Sequence, residues 1–272
     1  MSSPETLPQS RFVSVEAGGG RLGVQVSGQG PPLVLLHSLL ADRSSFDRVL
    51  PALAATHTVY ALDLPGFEGS DFADGGLAAV ADRVAAGIRA LQLPRKPVLL
   101  GNGYGGFVTL LAAIRHPDLA ERLVLADCGA AFSDAGRAAF RGMSAGAAKG
   151  GLQALADVAM RRLFAPDYQA EHPELIAERK QRFLALELNT FHAACAALAE
   201  LDLRPQLASV TLPVLVLVGE LDEATPAPMS HELAALLPNA RLQVLQGLAH
   251  VPQLQAPEQF LAAVQPFLME AA

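Results

Sequence analysis

The chain predicts an α/β fold: a mostly parallel sheet flanked by helices, with a long helical insertion. Three observations carry this reading. Short, continuous apolar runs alternate with stretches of helical spacing, the pattern of βαβ units. A Gly-rich turn near the start joins two alternating segments, which signals a hairpin. Between residues 133 and 208 the strand signal vanishes and Ala-rich helical spacing takes over.

Residues 12–16 and 22–26 alternate apolar and polar side chains about Gly18-Gly19-Gly20 and are expected to pair. Residues 32–37, Pro-Leu-Val-Leu-Leu-His, form the uninterrupted apolar run of a strand buried on both faces. A helix is predicted over 44–55 and a strand over 57–64. Helical spacing over 77–91 leads to a strand at 97–101, a helix over 105–116 stopped by Pro117, and a strand at 122–126. Helices are then expected at 138–148, 152–164, 173–189 and 190–201, because a structureless loop of that length is rare in a compact domain. Alternation resumes at 213–219, 230–237, 241–246 and 257–267. The expected organisation is a core of residues 1–132 and 209–272 carrying a helical cap at 133–208.

Composition narrows the function. The 272 residues are 51% hydrophobic and 17% charged, enough to bury one sizeable core. Net charge is −7 and no Lys/Arg cluster is present, which argues against nucleic acid as a partner. No apolar stretch is long enough to span a bilayer, and the first residues lack the apolar core of a secretory signal. Cys128 and Cys195 are far apart, with neither metal-ligand nor redox spacing. Two such cysteines fit a cytoplasmic setting, with a single disulfide left open.

The segment from Val98 runs from strand into helix through Gly101-Asn102-Gly103-Tyr104-Gly105. In that context G-x-S-x-G forms a sharp elbow presenting a nucleophilic serine. Here Gly103 stands at the nucleophile position, so the turn is kept and the hydroxyl is absent. Three further segments follow the same pattern in order. His37-Ser38-Leu39-Leu40 closes the third strand, and Asp63-Leu-Pro-Gly66-Phe-Glu-Gly69-Ser70 is similar to a D-x-x-G-x-G-x-S loop. Gly219-Glu-Leu-Asp222 and Gly247-Leu-Ala-His250-Val-Pro supply an acid and then a histidine. Spanning nearly the whole chain, these segments resemble the α/β-hydrolase superfamily. The nearest likeness is to its cap-bearing branch of 3-oxoadipate enol-lactonases and related esterases.

That resemblance implies roles. His250 would be the general base, Asp222 its orienting carboxylate, and the Leu39 and Tyr104 backbone N–H groups an oxyanion hole. Asp127, at the end of the preceding strand, is a rival acid. No metal or organic cofactor is implied. Each residue also has a plainer reading: His250 as a packing histidine, Asp222 as a turn former near Pro226, the two amides as by-products of required turns. Glu68 stands where the family pattern has Gly, either as a solvated loop residue or as a second carboxylate facing the pocket. Leu40 replaces a small residue and would narrow the oxyanion side. Phe132, Phe140, Met143, Met160, Phe164, Phe183 and Phe191 are divided between core and an apolar pocket beneath the cap.

Gly103 leaves three readings. The chain is a Ser-to-Gly variant of an ordinary serine esterase or lactonase. Alternatively, a water in the space vacated by the side chain is deprotonated by the His250–Asp222 dyad and attacks a carbonyl, or the dyad removes a proton from the substrate. In the third reading the pocket only binds a small molecule. Retention of both dyad residues favours the first two. The expected function is cofactor-free chemistry on a small carbonyl compound with an apolar part: an ester, a lactone or an activated C–C bond.

Overall fold

The structure is a computed structural model that describes residues 10–270. An eight-stranded sheet forms its centre. Strands β1 (Arg11–Ala17) and β2 (Gly20–Ser27) make the hairpin, followed by β3 (Pro32–Leu36), helix α1 (Leu50–Ala54) and β4 (Thr58–Leu62). Next come α2 (Gly76–Ala90), β5 (Val98–Asn102), α3 (Tyr104–Arg115) and β6 (Arg122–Ala126). The stretch between β6 and the next strand holds α4 (Asp134–Gly150), α5 (Ala156–Leu163), α6 (Pro166–Glu171), α7 (Pro173–Leu184) and α8 (Leu188–Ala199). The chain closes with β7 (Val214–Gly219), α9 (Ala227–Leu236), β8 (Ala240–Leu245), α10 (Pro252–Gln255) and α11 (Pro257–Leu268). No helix among the described residues is long and apolar enough to cross a membrane.

Strand order is β1-β2-β4-β3-β5-β6-β7-β8. The first two pairings are antiparallel and all the others parallel. The apolar runs explain the burial. Leu33 and Leu35 of β3 face one layer, with Phe46, Leu53, Phe260 and Val264, while Val34 and Leu36 face the layer holding Val84, Phe107 and Val108. Two-residue periodicity thus gives every central strand two dry faces. The chain order reverses between β3 and β5, and in open α/β sheets the crevice beyond the strand ends at such a reversal is where ligands bind.

The departures from the sequence reading are local. The helix expected over 44–55 is a 3-10 turn, Arg43–Phe46, capped by the Asp42 side chain, and then α1. Pro51 lacks the N–H that would bond back to Asp47, so the two pieces do not fuse. The region expected as one helix over 152–164 begins as a 3-10 turn at Leu152–Leu155 before α5. Helices α6 and α10 were not anticipated; each is a short turn opened by a proline. Both cysteines are free and buried.

Candidate active site

The elbow is built where β5 meets α3. Gly103 has φ 55° and ψ −118°, outside the regions open to most side chains. Gly105 is required for another reason: a Cβ there would lie 2.1 Å from the Leu36 carbonyl oxygen, so nothing larger lets α3 pass β3 so closely. The Gly105 N–H donates to the His37 carbonyl at 2.9 Å, tying the elbow to the end of β3.

Histidine 37 shapes the neighbouring turn. Its Nε2 accepts from the Leu64 N–H at 3.1 Å, so Nδ1 carries the proton and donates to the Ser38 carbonyl at 3.0 Å. Complete burial pushes its pKa down to about 4, leaving the ring neutral. The Ser38 carbonyl also accepts from the Ala41 N–H. With that oxygen fixed, planarity places the Leu39 N–H on the opposite side of the peptide. Tyr104 opens α3, so its N–H is one of the donors a helix start leaves unpaired. Neither amide has an acceptor among the described residues.

His250 and Asp222 come together from the loops after β8 and β7. His250 Nδ1 lies 2.9 Å from Asp222 Oδ2, and both residues are buried. Asp222 divides its oxygens between two tasks. Oδ1 accepts from the Ala224 and Thr225 N–H groups at 2.7 and 3.0 Å and closes the turn, while Oδ2 takes the imidazole and the Thr225 hydroxyl. The turn-forming and histidine-orienting readings therefore coexist in one residue. Burial pushes the Asp222 carboxyl up, but His250 and Thr225 outweigh it and hold it below its ordinary value.

Asp127, the rival acid, makes no hydrogen bond to His250 among the described residues. It accepts from the Gly219 N–H at 2.8 Å and from Asn102 Nδ2 at 3.2 Å, bracing β7 against β5. Burial, then the neighbouring Asp222 charge, pushes its pKa well above the usual carboxylate range. Glu68 does not reach the space beside His250; it lines a larger cleft between the 66–72 loop and the turn joining α7 to α8. It is exposed and pairs with Arg43 and Arg182. Its φ is 33°, a left-handed conformation, which explains why a glycine suits that position.

A cavity of about 30 Å³ lies against Gly103 and His250. The turn after β3 walls it with Leu39 and Leu40, and Tyr104, Phe107 and Phe132 continue the apolar lining. Its roof comes from α4, α5 and α8 through Phe140, Met143, Arg162 and Leu198. Of the other large apolar residues noted in sequence, Met160, Phe164 and Phe191 are fully buried in the core. Phe183 instead lines a separate cleft of about 670 Å³, between the 66–72 loop and the turn joining α7 to α8. The two spaces share only Leu39.

Sequence reading missed three residues here. Asn102 donates to the His250 carbonyl at 2.9 Å and accepts from Gln253 Nε2 at 3.0 Å. Ser38 Oγ lies 3.2 Å from His250 Nε2. Arg162 reaches the cavity wall, donates to the Ala224 carbonyl at 3.3 Å, lies over the Phe140 ring, and forms no salt bridge among the described residues.

Fold and elbow define a hydrolase of the α/β class. The chain matches the alpha/beta hydrolase family over residues 33–263 and belongs to it. It is 32% identical over 260 residues to the pimeloyl-[acyl-carrier protein] methyl ester esterase of Aeromonas hydrophila subsp. hydrophila, covering 91% of this chain and 99% of that protein. Among solved structures, the enol-lactonase from Burkholderia xenovorans LB400 matches with TM-score 0.88 and 25% identity over 95% of this chain and 100% of that one. A thermophilic esterase from Thermogutta terrifontis matches with TM-score 0.86 and 26% identity, covering 95% and 98%.

Proposed function

We propose that this protein hydrolyses an ester or lactone bond in a small carbonyl compound, with His250 as general base and Asp222 as its orienting carboxylate. One observation carries the reading: Nδ1 of His250 is held by Asp222 at 2.9 Å, which leaves Nε2 at the corner beside Gly103. Because Nδ1 donates to the carboxylate, Nε2 is the basic nitrogen and can accept a proton from an attacking oxygen. The Leu39 and Tyr104 amides would then hold the charge that develops on the carbonyl oxygen. The esterase and lactonase names of the relatives agree with this substrate class.

The lining adds a substrate preference. An apolar part would pack against Phe132, Phe140, Met143 and Leu198. Arg162 is half-buried at the cavity wall and forms no salt bridge among the described residues, so it favours a substrate carrying an acidic group. The reading is tested by turnover of a short-chain aryl ester. His250→Ala is expected to lower kcat by roughly 10³-fold or more, and unchanged turnover would overturn the dyad.

A further inference from the structure

Ser38 holds the only hydroxyl on Nε2 of His250 among the described residues, at 3.2 Å. In the neutral imidazole, the form that acts as base, the other ring nitrogen fixes the direction of that bond. Nδ1 donates to Asp222, so Nε2 accepts and the Ser38 O–H donates. The chain from Ser38 through His250 to Asp222 therefore has the proton order of a hydroxyl nucleophile, its base and its orienting acid.

Gly103 makes room for this arrangement. A Cβ placed on residue 103 would lie 2.5 Å from Ser38 Oγ, 2.6 Å from His250 Nε2 and 3.0 Å from Ser38 Cβ. Much of the space expected for a water is thus taken by the Ser38 hydroxyl, which sits where a side chain on the elbow would project. Ser38 also precedes Leu39 as residue 103 precedes Tyr104, so each position is followed by one of the two candidate oxyanion amides. From the dyad reading above, we propose that Ser38 is the nucleophile of this hydrolase, acting from the turn after β3 in place of the elbow.

The step balances with the groups present. Ser38 Oγ forms a bond to the substrate carbonyl carbon as His250 Nε2 takes the hydroxyl proton. The carbonyl π pair moves onto its oxygen, facing the Leu39 and Tyr104 N–H groups. Collapse of that intermediate breaks the bond to the leaving oxygen, which receives the proton from His250. A water, deprotonated by the same Nε2, then attacks the acyl-Ser38 ester; the acid leaves and Ser38 regains its proton. The net reaction is ester plus water to acid plus alcohol. A tethered hydroxyl has an advantage over a free water, since its position beside the base is already set by the fold.

The full chain is incubated with diisopropyl fluorophosphate, which phosphorylates serines activated by a base, and the adduct is located by peptide mass mapping. One adduct per chain is expected, on Ser38, and it should be lost in Ser38→Ala and in His250→Ala. Ser38→Ala should also reduce aryl-ester turnover at least 100-fold with an unchanged melting temperature. A wild-type protein that turns over ester without labelling, or labels at another serine, overturns the assignment. So does a Ser38→Ala protein with full turnover; if His250→Ala then abolishes turnover, the dyad stands with water as nucleophile. If His250→Ala also keeps turnover, both readings fall. Should Ser38→Ala not fold, the position of the label on the wild-type protein decides alone.

Discussion

Asn102 holds His250 by its backbone: its Nδ2 donates to the histidine's own carbonyl at 2.9 Å, across 148 residues of chain. The same amide reaches Asp127, and its oxygen accepts from Gln253. One side chain at the end of β5 therefore couples the elbow, the end of β6 and the histidine loop. Asn102→Leu is expected to strand three buried polar partners and to cost about 2 kcal/mol of stability. Guanidinium unfolding measures that cost, and a loss of turnover larger than the loss of folded protein would report the displaced imidazole.

Gly103→Ser places a Cβ 2.5 Å from Ser38 Oγ, 2.6 Å from His250 Nε2 and 3.0 Å from Ser38 Cβ, so these buried, hydrogen-bonded side chains must give way. The backbone turn and both candidate oxyanion amides stay as they are. Short-chain aryl-ester hydrolysis is expected to fall at least tenfold, because the added side chain displaces the Ser38 hydroxyl from the imidazole. Strain at φ 55° should cost about 1 kcal/mol or somewhat more. Ester turnover assays and thermal melts check the two halves separately.

The neutrality of His37 makes stability depend on pH. Its folded pKa of about 4 lies below that of the unfolded chain, so between those values the unfolded state binds more protons. Stability from this group is present at and above neutrality and is lost as pH falls. From pH 8 to pH 5 the loss is about 2 kcal/mol. His37→Gln can keep a donor and an acceptor in place without titrating. The gap in unfolding free energy between wild type and this variant should narrow by that amount over the same interval.

Arg162 sets a specificity test. In Arg162→Gln, kcat/KM for an ester bearing a remote carboxylate should fall by about 10- to 100-fold, as expected for loss of a charge-assisted contact. The matching neutral ester should change little. Equal losses on both substrates would assign Arg162 to holding α5 against the Ala224 turn instead.

Much of this was legible in sequence because the signals were strong. Continuous runs such as 98–102 and 122–126 leave no polar face to point at water, so they read as buried strands. Asp222 could be picked out because it follows such a strand, and His250 because it follows an alternating one, each in a loop with turn residues. The break between Arg43–Phe46 and α1 was missed because the effect of Pro51 on a short helix is local geometry, invisible to periodicity. Ser38 escaped notice for a different reason. Its neighbour Leu39 drew attention through its amide, and only the meeting of loops 212 residues apart places the serine hydroxyl on an imidazole. Arg162 depends on how α5 lies over the core, which no spacing rule encodes.

The chamber beside His250 has room for about one water. Three separate helices supply its ceiling, so a substrate larger than a water fits beside His250 only as that ceiling shifts. Throughput would then be governed by how often the helices part rather than by how readily the bond breaks. Turnover should slow in viscous solvent and vary little with the acidity of the departing alcohol.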